Sequence, residues 1–303
     1  MSTANRKTGV VLMTYGSATT AEGTREYFER IYKGKASEEL IRDFENRYRL
    51  VGRSPLVDIT RAQAAALEAR LGSGYIARAG MRHSAPFIEE AVAECKAAGA
   101  DSLLGIVLSP QFSSFIMEGY TAAFAEAARK HGFSEGKAVV AGPWPSEPHF
   151  AELLASRVEE SLAKLGGNTP VIFTTHSLPQ RVVKKDPQYL EQLQSTISAV
   201  RAKLPRDLEW YGGYQSAGHT PEEWLKPDLT DILAQLRDKK SQAVLIVPIQ
   251  FLSDHLEVLY DLDIAARKQC EDFGIDYNRI ELPNTNPLFI EALAGIAAAH
   301  SVK

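Results

Sequence analysis

Three short runs constrain this chain more than anything else in it. Residues 8–13 (T-G-V-V-L-M), 102–108 (S-L-L-G-I-V-L) and 243–247 (A-V-L-I-V) are almost wholly apolar, with no polar alternation. A strand with one wet face alternates; runs like these suit strands covered on both faces, as in the middle of a parallel sheet. Parallel neighbours need long crossovers, usually helices, and the chain supplies them. Helical stretches at 22–32, 38–48, 59–71, 86–98 and 120–130 are interleaved with strands at 8–13, 75–81, 102–108 and 138–141. After G-P-W-P at 142–145 the scheme repeats. Helices fall at 148–165, 187–204, 227–238 and 287–300, and strands at 170–173, 208–214, 243–247 and 280–282. The expectation is an α/β chain of two similar doubly wound lobes, 1–142 and 143–303, each a mostly parallel four-stranded sheet flanked by helices, with a cleft between them. A length of 303 residues accommodates two such domains. The halves match in size and order without a sequence repeat, which points to structural duplication.

Open parallel sheets bind ligands outside the carboxyl ends of their strands, so the residues just past each strand matter most. After the strand at 243–247, closed by Pro248, comes a helix signal with Ser253 or Asp254 as its N-cap and an apolar row at Leu256, Leu259 and Leu262. Asp254, Glu257 and Asp261 recur at spacings of three and four, hence on one helix face. Like charges so placed destabilise an exposed helix by about 0.2–0.5 kcal/mol a pair. Such a row suits a cation, proton transfer, or both. After the strand at 170–173 comes T-T-H-S-L-P, which puts His176 at a strand end as well. One imidazole and one carboxylate row on the same rim form an N/O donor set for a borderline divalent metal such as Fe²⁺. Plainer roles remain open: Glu257 also fits the third residue of a capping box begun by Asp254, and His176 also fits a histidine satisfied within its turn.

T-T-H-S-L-P at 174–179, Y-Q-S-A-G-H-T-P-E-E-W-L at 214–225 and P-I-Q-F-L-S-D-H-L-E-V-L-Y-D-L-D at 248–263 occur in that order and resemble the ferrochelatase family. The likeness runs over nearly the whole chain. It implies a chelatase-like pair of lobes, substrate-binding helices in the first, metal-site residues in the second, and a last helix packed back on the first. It further implies insertion of Fe²⁺ into a porphyrin with release of two protons. His176 and Glu257 are then the catalytic and metal-binding pair on one side of the ring, and Asp261 can pass protons or metal along the same face. Tyr15, in L-M-T-Y-G-S, matches the tyrosine that contacts the product iron from the opposite side in the Gram-positive type, which works on coproporphyrin III. Arg47, Tyr48, Ser54 and Tyr120 match substrate-binding positions for the propionates. Tyr32 stands where relatives often carry Arg, and Ala265 where they often extend the acidic row. His83 matches a histidine near the cleft, where a structural role is the simpler one. Two alternatives remain: a protoporphyrin IX ferrochelatase, and a non-catalytic tetrapyrrole or haem carrier.

Composition sets the remaining bounds. A net charge of −4 argues against a nucleic-acid partner and requires an anionic substrate to be held by a local basic cluster. The chain has two cysteines, Cys95 and Cys270. An iron–sulfur cluster takes four ligands, usually all cysteine, so none is expected, and neither is a permanently bound cofactor; Fe²⁺ enters as substrate. The polar opening M-S-T-A-N-R-K-T lacks the apolar stretch of a signal peptide, and none is expected. There is no run of about 18 apolar residues that a spanning helix needs. The expectation is a cytoplasmic monomer whose partners are coproporphyrin III, Fe²⁺ and, transiently, a downstream haem-pathway enzyme receiving the product.

Overall fold

The computed structural model describes residues 6–166, 168–218 and 220–300. The opening pentapeptide and the last three residues, on which the reading of the termini partly rested, lie outside the described residues. The first lobe runs β1 (Thr8–Thr14), a 3₁₀ turn (Ala21–Gly23), α1 (Thr24–Tyr32), α2 (Glu38–Val51), α3 (Leu56–Leu71), β2 (Tyr75–Met81), α4 (Ile88–Ala97), β3 (Ser102–Val107), α5 (Ser114–Lys130) and β4 (Ala138–Val140). The second runs α6 (Pro148–Leu165), β5 (Val171–His176), α7 (Gln180–Lys185), α8 (Gln188–Arg201), β6 (Trp210–Gln215), α9 (Leu229–Asp238), β7 (Ala243–Pro248), a π-helix (Val258–Ala266), α10 (Arg267–Phe273), β8 (Asp276–Arg279) and α11 (Pro287–Ala299).

The apolar runs become β1, β3 and β7, buried along almost their whole length. Each sheet is all parallel, and the two share one plan: β2-β1-β3-β4 and β6-β5-β7-β8. In each, the chain builds outward from its first strand to one side and then crosses to the other. The topological switch points therefore lie between β1 and β3 and between β5 and β7. Alternate side chains of the central strands feed different cores. Val11 and Met13 pack with Phe124 against α4 and α5, and Val244 and Ile246 with Leu233 and Leu262 against α9 and the π-helix. Val10, Leu12, Phe173 and Leu245 face a single layer, built also from Leu67, Phe150 and Phe289, that serves both sheets. α11 packs against α3 and α6, and Arg70 of α3 forks onto Glu291 of α11 at 2.5 and 2.8 Å.

Several boundaries differ from the sequence expectation. α2 continues to Val51, because nothing breaks it before Gly52, whose φ of +84° ends the helix. α5 starts at Ser114, within the stretch expected as loop. Gly119 does not break this helix but admits a neighbour: a Cβ there would collide with the Arg82 guanidinium. α4 starts at Ile88, after Phe87, whose N–H is held by Glu90 at 2.6 Å, and not at Pro86. The fourth strand of the second sheet is Asp276–Arg279 rather than 280–282. An edge strand needs backbone partners more than an apolar run, and D-Y-N-R has no apolar signature.

Candidate active site

His176 is the last residue of β5 and is held from behind. Its N–H donates to Gln250 Oε1 at 3.0 Å, and Gln250 Nε2 donates to the buried Tyr189 hydroxyl at 3.0 Å. Its Nδ1 lies 2.5 Å from the Ser177 carbonyl. A carbonyl only accepts, so Nδ1 carries the proton and Nε2 is turned outward. Nε2 is 3.7 Å from Glu257 Oε1. The other carboxylate oxygen lies 3.5 Å from His255 Nε2, and the Phe251 ring sits beside both imidazoles. Burial pushes the Glu257 carboxyl up, but His176 first and then His255 outweigh it, holding the group well below the usual carboxylate range. Burial likewise opposes charge on His176, and Glu257 overcomes it, so the imidazole sits above its ordinary value.

Glu257 immediately precedes the π-helix, whose i→i+5 turns are wider than those of an α-helix. The expected single face of Asp254, Glu257 and Asp261 is only partly realised. Asp254 precedes the helix and turns away to Asn284 and Arg279, so it neither caps the helix nor joins a row with Glu257. Asp261 stays at the site, hydrogen-bonded by the Ser216 hydroxyl and 3.4 Å from Arg47 Nη1. Burial raises its carboxyl, Ser216 opposes that rise, and Glu257 adds to it.

The first lobe contributes phenols. Tyr15 follows β1, is 43 % exposed, and packs its ring 4.5 Å from that of His83. Tyr32 closes α1, equally exposed, stacked on Phe28. Burial raises the Tyr15, Tyr32 and Tyr48 hydroxyls, and in each case the Glu257 carboxylate raises it further. One carboxylate from the second lobe is thus within electrostatic reach of phenols from β1, α1 and α2. Burial, then Arg82, pushes His83 down to about 4, so it is neutral at pH 7.

The remaining expected substrate contacts are placed less openly. Tyr48 and Ser54 are both buried, and their hydroxyls converge on Ser17 Oγ at 2.9 and 2.8 Å. Tyr120 is buried on α5. Arg47 lies between the Phe44 and Tyr260 rings, each 4.8 Å away, and is already paired with Asp43 at 2.8 Å as well as Asp261. Sequence reasoning overlooked His255 and Arg82. The first stands two residues before Glu257 within the same motif, which was signal enough. The second follows β2, with its guanidinium 5.8 Å from the Tyr120 ring. Behind His176, Thr174 and both amide atoms of Gln215 are buried without a hydrogen-bond partner. A groove of about 640 Å³ between α3, β2 and α4 is unrelated to these groups; its Arg78 is paired with Glu68 and Glu94.

Residues 7–301 match the family model described as ferrochelatase. A protein of Anoxybacillus flavithermus named coproporphyrin III ferrochelatase is 37% identical over 305 residues, covering 96% of each chain. One of the same name from Bacillus subtilis is 36% identical over 303 residues, covering 96% of this chain and 97% of that one. Among solved structures, SirB from Bacillus subtilis with Fe³⁺ superposes with a TM-score of 0.61 at 11% identity, covering 98% of this chain and 99% of that one. CbiX, the terminal enzyme of sirohaem biosynthesis in denitrifying bacteria, gives 0.57 at 14% identity, covering 97% and 99%. At such identities these likenesses concern the fold alone, which is the two-lobed chelatase arrangement.

Proposed function

The chain belongs to the ferrochelatase family, and from that premise we propose that the His176–Glu257 pair is where it inserts Fe²⁺ into coproporphyrin III to make the iron coproporphyrin of haem synthesis. The substrate is the one for which the relatives are named, which favours it over protoporphyrin IX and over a carrier role. The observation that carries the site reading is the 3.7 Å approach of Nε2 to Oε1 at the carboxyl end of β5.

The chemistry follows from what insertion requires. The porphyrin gives up two N–H protons, the ion sheds water, and the ring puckers to aim a lone pair; distortion of this kind costs about 1–5 kcal/mol. His176 offers an outward nitrogen and Glu257 a hard oxygen, which leaves the rest of the ion's coordination open for the macrocycle. Glu257, held ionised, is a proton acceptor on that side of the ring, and His176 becomes a donor to the ion or a second acceptor whenever its Nε2 is unprotonated. Asp261, with its carboxyl raised, is the next acceptor along the π-helix. Tyr15 approaches from the first lobe as the contact for product iron, with neutral His83 against its ring. Arg47 recognises a propionate by exchanging Asp261 for it. Tyr32, Tyr48, Ser54 and Tyr120 line or back the same wall; the buried Tyr48–Ser17–Ser54 hydroxyls fix the end of α2 and so aim Arg47.

We take 1–142 and 143–303 as the two domains. Cys95 and Cys270 pack in separate cores, their thiols pushed up to about 12 by burial, and they are assigned no cluster. Among the described residues no helix is long and apolar enough to cross a membrane. A cytoplasmic monomer that passes its product to the next haem-pathway enzyme fits a substrate with four propionates. The test is anaerobic incubation with Fe²⁺ and either porphyrin. Iron coproporphyrin should form well ahead of protohaem; a preference for protoporphyrin IX, or no insertion at all, overturns the reading.

A further inference from the structure

Glu257 stands directly before a π-helix, a geometry usually confined to a single turn, and here it extends over nine residues. A polar strut fastens both sides of it. Arg279, the last residue of β8, has a side chain only 13% exposed. It forks onto Asp263 inside the π-helix, Nε to Oδ1 at 2.8 Å and Nη2 to Oδ2 at 2.7 Å. The same Nη2 lies 3.5 Å from Asp254 Oδ1, ahead of Glu257. Asn284 fixes Asp254 in turn, accepting from its N–H at 2.9 Å and donating to Oδ2 at 2.8 Å. The strut then crosses to the first lobe: Gln63 of α3, fully buried, donates to the Asn284 carbonyl at 2.8 Å and to Ser253 Oγ at 2.9 Å.

We infer that Arg279 is a positioning residue for iron insertion: it bridges the chain before and after Glu257, holds the π-helix in register, and so fixes the carboxylate against His176. Gln63 ties that setting to the first lobe. The inference rests on the reading of Glu257 as a metal and proton ligand. Without the guanidinium nothing spans from Asp254 to Asp263, so the segment that carries Glu257 loses its register whether or not charge remains; in Arg279→Met the two carboxylates, with no shared cation, also repel. A displacement of about 1 Å at a reacting group can cost about 100-fold in rate.

The test compares Arg279→Lys, Arg279→Met and the triple variant D254N/D263N/R279M, which removes the fork without stranding charge. Steady-state kinetics with coproporphyrin III and the absorption of Co²⁺ added without porphyrin are both read, on folded protein. Arg279→Met and the triple variant should lose about 100-fold in kcat with KM for the porphyrin within about twofold. Arg279→Lys should recover part of the loss, and the Co²⁺ bands should move in the variants. A triple variant with wild-type kcat, a loss confined to KM, or an unchanged Co²⁺ spectrum overturns the inference. A wild type that inserts no iron strikes the reading of Glu257 instead, and the Co²⁺ spectrum still decides the strut.

Discussion

Glu257 shares its two oxygens between imidazoles, His176 at 3.7 Å and His255 at 3.5 Å, and Glu257 and His176 each shift the other toward its charged form. Groups coupled in this way act as a unit, and removing either disables the other. His176→Ala leaves Glu257 without the partner that does most to hold it ionised; Glu257→Gln leaves His176 without the charge that raises it. Each single variant should therefore lose about 100-fold or more in kcat, the usual scale for removing a positioned base. The double variant should fall little further than the worse single. Initial rates of iron coproporphyrin formation check this, and losses that multiply across the double variant would show two independent groups. His255 distinguishes the pair from a simple dyad, since it fixes the carboxylate oxygen that His176 does not face.

At the scale of elements, the lobes are joined where helices begin. Asp186, at the end of α7, is buried and accepts from the Ser114 N–H and hydroxyl, both at 2.7 Å, and from the Ser113 hydroxyl at 3.2 Å. It does for α5, from the other lobe, what an N-cap side chain does locally. Hydrogen bonds from Ser114, set against burial, hold its carboxyl below the ordinary range. A group depressed on folding stabilises the native state above its unfolded pKa, about 3.9, and loses that contribution as pH falls through the folded value. Asp186→Asn should thus cost about 1–3 kcal/mol at pH 7, with the gap to wild type narrowing below about pH 4; urea denaturation at both pH values measures it. A gap independent of pH would mean that the charge is not what Ser114 recognises. This contact also explains what the sequence hid. The strand ends carrying Tyr15, His176 and Glu257 were legible because apolar runs, prolines and motif spacing are local signals. The start of α5 was not, because its cap comes from a residue more than seventy positions away. Asp254 was misread because periodicity assumes that the helix already includes it, whereas Asn284 and Arg279, distant in sequence, hold it outside, and β8 because an edge strand is defined by its neighbour's backbone. The Tyr48–Ser17–Ser54 cluster was invisible for the same reason as α5: burial of a hydroxyl depends on what closes over it.

At the scale of the molecule, the sheets are not independent. Each has one face covered by its own helices, but the other faces share a layer in which Leu12 and Leu67 of the first lobe are continuous with Phe150, Leu245 and Phe289 of the second. A lobe unfolding alone would strip its neighbour of that cover, so the shared layer couples the stability of the two lobes. Phe289 of α11 is fully buried at the centre of the layer, beside Trp144 and Phe150. Phe289→Ala should cost about 3–5 kcal/mol, the range for truncating a core aromatic. Because the layer is common property, the loss should lower one cooperative transition and not divide it. Fluorescence reports the three tryptophans, all beyond residue 143, whereas far-UV circular dichroism sums over both lobes. Coincident urea curves from the two probes, shifted together in the variant, are expected. A fluorescence transition that moves away from the dichroism curve would mean that the second lobe melts by itself, and that the shared layer does not couple the two.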